Sequence, residues 1–146
     1  MKKIIVISFL VLCALAISSC STQISEAAYE EFVETLEDRG YTIQVEEDTE
    51  KIILAGEHKR LTINETDYLS VFLYKNNDEM EKDASRLSAD GFTYSTEGRT
   101  ISISWVSKPR FYKKDNMIVL YVGEDAELIH VYGELLDSPF IGGSSG

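Results

Sequence analysis

No cysteine follows Cys20 in this 146-residue chain, and the only other one, Cys13, lies inside an apolar run. Whatever folds downstream has no disulfide to brace it and must be held by a hydrophobic core. The 127 residues from Cys20 onward are enough for one ordinary domain and too few for two. Trp105, eight tyrosines and six phenylalanines (Phe9 among them, in the apolar run) supply the bulk such a core needs.

The apolar run gives the first functional clue. Lys2 and Lys3 precede Ile4 to Ile17, and the small residues Ser18 and Ser19 follow. That is the layout of a secretory signal with its cleavage site. The run has 14 residues, fewer than the roughly 20 a helix needs to cross a bilayer, so a transmembrane anchor fits poorly. A plain secretory signal cut after Ser19 is the other rival. Ile17-Ser18-Ser19-Cys20 resembles the lipobox of bacterial lipoproteins. The resemblance implies a diacylglycerol on the Cys20 thiol, cleavage just before it, and a lipid anchor of palmitate type at the outer, extracytoplasmic face of the cell membrane. Residues 1–19 are then the lipoprotein signal peptide, 20–25 a lipidated tether, 26–141 a single domain and 142–146 a flexible tail. One acyl chain, at roughly 0.8 kcal/mol per buried methylene, binds a membrane marginally, whereas the two or three of a mature lipoprotein anchor it stably.

The signal holds two of the 14 basic residues and none of the 25 acids, so the charge of −11 for the whole chain becomes −13 after cleavage. Such a surface repels nucleic acid and anionic lipid at long range, which excludes nucleic acid as a partner and holds the globule off the membrane.

Periodicity outlines the domain. Tyr29, Phe32, Val33 and Leu36 fall at i, i+3, i+4 and i+7, which predicts a first helix from about Ser25 ending at Gly40. Tyr41, Ile43 and Val45 alternate with polar residues as a strand does. Leu61 and Ile63 alternate after an expected turn near Glu57-His58, and Tyr68 to Tyr74 is a third strand. Asn76 or Asn77 can cap a second helix carrying Met80, Ala84 and Leu87, with Glu79 in capping-box register to Asn76. Phe92 and Tyr94 begin a short strand, Thr100 to Val106 is another, and Met117 to Val122 reads as a central strand. Pro109 makes Lys108 to Asp115 a connection or an edge. A third helix runs from about Glu124 to Asp137. This order predicts an α+β fold, an antiparallel sheet with helices packed on one face. A repeated helix–glycine–strand unit, at Leu36 to Val45 and Leu87 to Tyr94, also allows a ferredoxin-like duplication.

Most matches to chemical motifs fail on context. Gly142-Gly143-Ser144-Ser145-Gly146 has the string of a nucleophile elbow without the flanking strand and helix that strain the serine. His58 and His130 belong to no metal-ligand spacing, and no Ser-His-Asp arrangement stands out. Glu46, Glu47, Asp48 and Glu50 lack the alternate spacing and glycine of a calcium loop. Asn64-Glu65-Thr66 fits a glycosylation sequon that has no meaning behind a bacterial lipobox. No catalytic residue, metal ligand or cofactor is therefore expected, and the chain reads as no enzyme.

One segment stands out. Lys108, Arg110, Lys113 and Lys114 place four basic residues within seven positions, interleaved with Trp105, Phe111 and Tyr112. With the apolar run through Met117 to Gly123, it resembles the C-terminal part of a family of small, uncharacterised lipoproteins of Gram-positive bacteria. The likeness covers residues 67–141 and implies fold and location, with no activity attached. Where it implies a histidine after the proline, this chain has Arg110. These seven residues are the candidate binding patch, for an acidic polymer, headgroup or partner, with Arg110 as a bidentate contact. The competing reading turns the aromatics inward and leaves the cations as solvated guards of an exposed edge. The function expected is a lipid-anchored, non-enzymatic binding domain whose partner is an envelope protein or polymer. Its sharper form is an acidic inhibitor or immunity-type protein meeting a basic enzyme. An envelope hydrolase with an acidic site outside known motifs is the alternative.

Overall fold

The computed structural model describes residues 24–46 and 53–143. Residues 1–23, with Cys20, most of the tether and the signal, lie outside the described residues, as do the acidic turn over 47–50 and residues 144–146. Helix α1 spans residues 24–38. Strands β1 (Ile43–Glu46), β2 (Glu57–Ile63) and β3 (Asp67–Leu73) follow, then helix α2 (Asn77–Ala84). A hairpin of β4 (Thr93–Thr96) and β5 (Arg99–Ser102) comes next, then β6 (Pro109–Lys114), β7 (Met117–Val122) and helix α3 (Ala126–Leu136).

The main sheet has the order β1-β2-β3-β7-β6, and each neighbouring pair is antiparallel. The expected α+β class is thus observed. A ferredoxin-like duplication is not, because β1, β2 and β3 follow one another as neighbouring antiparallel strands, without the helix that a βαββαβ order places between its first two strands. The turns follow from local chemistry. Asp115 and Asn116, both with positive φ (47° and 61°), form the two-residue link between β6 and β7. Gly40, at φ 94°, closes α1, and the Tyr41 N–H returns to the Leu36 carbonyl at 3.1 Å.

Helices cover both faces of the sheet, not one. Leu69, Val71, Val119 and Tyr121 point to the face covered by α1 (Tyr29, Phe32, Leu36) and α3 (Leu128, Val131, Tyr132, Leu136). Phe72, Ile118, Leu120 and Phe111 point the other way, onto Met80 and Ala84 of α2, Leu54, Tyr94 of the hairpin and Ile141. The reason lies in β3 and β7, which are apolar at successive positions, as strands buried on both faces must be. Arg39 pairs with Glu134 at 2.6 Å, and the Tyr41 hydroxyl donates to Glu127 Oε1 at 2.7 Å, so the end of α1 is fastened to α3.

Three boundaries differ from the sequence reading. Glu57-His58 is the start of β2, not a turn: His58 stacks on Phe72 at 4.8 Å, and Lys59 lies over the Tyr29 ring at 4.9 Å. Polar residues are kept in that strand by ring faces. Helix α2 stops at Ala84, and Leu87 makes a β-bridge to Tyr94. Strand β5 ends at Ser102, short of Val106.

Candidate functional site

The aromatic-basic segment is β6 and its approach. Period-two alternation sends neighbouring side chains to opposite faces of the sheet. Phe111 and Tyr112 are fully buried, Phe111 near Phe140 and Tyr112 edge-on to Tyr132 at 6.2 Å. Trp105 meets Phe111 edge-on at 6.1 Å and donates its indole N–H to the Gly91 carbonyl at 2.8 Å. The aromatics therefore pack inward.

The cations do not gather. Arg110 has a side chain only 11% exposed; it donates to the Gly123 carbonyl at 2.6 Å and sits 3.4 Å from Glu124. That corrects both sequence readings of Arg110, since its fork is already engaged and is not solvated. The Ser107 hydroxyl, with help from Arg110, holds the Glu124 carboxyl below the usual carboxylate range. Lys113 bonds Glu81 at 2.8 and 3.0 Å and lies over the Phe140 ring. Lys114 donates to the Leu135 carbonyl at 2.7 Å, at the C-terminal end of α3 where cations are favoured. Lys108 is exposed. The edge itself is covered in part, because Phe111 exchanges backbone bonds with Ile141 and Phe140 at 3.0 and 2.8 Å.

A different set of residues forms a concave site. A cleft of about 390 Å³ opens between the start of α1, the start of β2, the residues after β3, and α2. At its base lies Asp83, 2% exposed. Its Oδ2 accepts from the Ala55 N–H at 2.7 Å and the Tyr74 hydroxyl at 2.8 Å. Its Oδ1 accepts from the Tyr94 hydroxyl at 2.6 Å and Arg86 at 3.3 Å. A buried carboxylate is tolerated only with such partners. Burial first, then the hydrogen bond to Asp83, pushes the Tyr74 and Tyr94 hydroxyls up from their usual range. Gly56 permits this packing, because a Cβ there would lie 2.8 Å from the Tyr74 ring.

Charges of both signs line the cleft: Glu26 of α1, Glu57 of β2 and Glu79 of α2, together with Lys75, Lys82 and Arg86. Glu79, Lys82 and Asp83 fall at i, i+3 and i+4 on α2, and Arg86 follows just past the end of the helix. That polar stripe was visible in the sequence beside the apolar Met80, Ala84, Leu87 stripe. Nothing in it told a buried aspartate from a solvated one.

His130 is exposed on α3, 3.5 Å from Glu134. Among the described residues, no group of three His, Cys, Asp or Glu side chains could hold a metal ion, and no helix is long and apolar enough to cross a membrane. No protein-family model matches the chain, and no curated protein or solved structure is detectably similar to it.

Proposed function

We propose that this protein is a lipid-anchored, non-enzymatic binding domain at the outer face of a bacterial cell membrane, tethered through acyl chains on Cys20. The observation that carries the reading is the positively led apolar run of 14 residues that ends in Ser18-Ser19-Cys20. The described part of helix α1 begins at residue 24, and at ~3.5 Å per residue even a fully extended chain keeps that residue within about 14 Å of Cys20. The cleft, which includes Ser25 and Glu26, then lies at the membrane-facing end of the domain.

Binding is favoured over catalysis by the state of Asp83. Its four donors occupy both oxygens, so it serves as a structural clamp with no oxygen left to take a substrate proton. The same fact weighs against the alternative of an envelope hydrolase working through an acidic pair. The net negative surface suits a basic envelope protein as partner and repels nucleic acid.

Cys20→Ala tests the anchor. The parent should enter the detergent phase on phase partition, and the variant should accumulate as precursor or leave the membrane as cut protein. A variant that partitions like its parent and is processed alike overturns the reading. Co-purification from membranes, with the partner identified by mass, then tests the binding role.

A further inference from the structure

The cleft above Asp83 has the charge layout of a receptor for a compact zwitterion. Asp83 neutralises Arg86 from below, and Lys59 reaches Glu26 at 3.0 Å and Glu57 at 3.7 Å. Lys75 and Lys82, both exposed, line the cleft together with Glu79, which stands one turn before Lys82, and none of the three makes an ion pair among the described residues. The lining thus offers two uncommitted ammonium groups with one carboxylate beside them, and two further carboxylates that share a single lysine. An anion alone would be pulled by the lysines and repelled by the glutamates, and a cation alone would meet the reverse. A molecule bearing both charges satisfies both sets of groups, and the volume of about 390 Å³ is in the range of small-molecule sites.

We propose that this cleft binds a small amine-bearing phosphate or carboxylate, its anionic end between Lys75 and Lys82 and its ammonium end at Glu26 and Glu57. The chemistry is that of a zwitterionic lipid headgroup or of a free zwitterion outside the cell. The choice between these sources rests on the membrane location proposed above; the site itself does not.

The probe is O-phosphoethanolamine, titrated calorimetrically into the full chain in a nonionic detergent, where the readout is independent of whether Cys20 is acylated. Saturable binding with a Kd of about 1 mM or tighter is expected. Lys75→Glu with Lys82→Glu should weaken it by at least about tenfold, with an unchanged melting temperature because neither lysine has a partner to lose. Glu57→Gln should weaken phosphoethanolamine but not inorganic phosphate. Absence of binding to the parent, equal binding to the double lysine variant, or inorganic phosphate binding as tightly as phosphoethanolamine would each overturn the proposal. Reconstitution into phosphatidylglycerol vesicles with and without phosphatidylethanolamine then identifies the source. Suppression of the soluble probe by phosphatidylethanolamine assigns the headgroup, and unchanged titration assigns a free ligand.

Discussion

The Tyr94 hydroxyl donates to Asp83 Oδ1 across 2.6 Å, joining the β4–β5 hairpin to helix α2. The contact makes one carboxylate responsible for holding three separate segments, since Tyr74 and Ala55 bond its other oxygen. Asp83→Ala strands those donors and Arg86 in a buried site, so a loss of about 3–5 kcal/mol in denaturant unfolding is expected. Tyr94→Phe should cost about 1–2 kcal/mol, because the carboxylate keeps its other donors. Equal losses for the two variants would show that Asp83 is no shared hub.

Arg110 supplies a second prediction. Its engagement with the Gly123 carbonyl and Glu124 means that Arg110→Glu should destabilise by about 1–3 kcal/mol, through an unpaired half-buried carbonyl and a like-charge contact. Lys108→Glu, on the exposed approach to β6, should stay within about 0.5 kcal/mol. Thermal melts of the two variants side by side check this.

The tyrosines that pack between α3 and the sheet give a third. The hydroxyls of Tyr112 and Tyr132 are buried with no hydrogen-bond partner among the described residues, whereas that of Tyr121 donates to Asp67 at 2.8 Å. Replacing an unsatisfied hydroxyl removes a burial penalty, so Tyr132→Phe and Tyr112→Phe should be neutral or stabilising. Tyr121→Phe should lose about 1 kcal/mol. Chemical denaturation of the three single variants gives the order.

A fourth concerns pH. Burial raises the pKa of Tyr29, Tyr74, Tyr94, Tyr112, Tyr121 and Tyr132 above the ordinary 10.0, and the bond to Glu127 raises that of Tyr41. Groups whose folded pKa lies above the unfolded one stabilise the fold below the unfolded pKa and lose that contribution as pH rises. Stability should therefore fall steeply above about pH 10. Tyrosinate absorbance should lag behind that of the urea-unfolded chain. Coincident titration curves in the two states would contradict the packing described here.

What the sequence disclosed depended on whether a side chain's neighbours were local. The apolar face of α1, the Asn76 cap of α2 and the alternation of β1 need only near neighbours, and all were legible. The two-sided burial was written in the unbroken apolar run of β7 and in Val71-Phe72-Leu73 of β3, yet the order of elements suggested a single covered face. Glu57-His58 looked like a turn because its compensating partners, Phe72 and Tyr29, are remote in sequence. Asp83 is the clearest case. Three of its four donors come from separate segments outside α2, and no spacing along one helix could announce them. The basic run in β6 misled for the converse reason, since closeness in sequence within a strand means separation onto two faces.

The pairing of β3 with β7 sets the timing of assembly. Leu69 lies opposite Tyr121 and Leu73 opposite Met117, so the middle of the sheet waits for residues synthesised far later. A chain delivered N-terminus first, by a ribosome or through a translocation channel, has only the β1–β2–β3 half of the main sheet to rely on until Met117 to Val122 arrives. During that interval the apolar flank of β3 is open to any other extended chain, and such non-local closure is intrinsically slow. The Ile141 clasp on Phe111 comes last of all. The domain therefore becomes native in one late step, near the end of its own delivery.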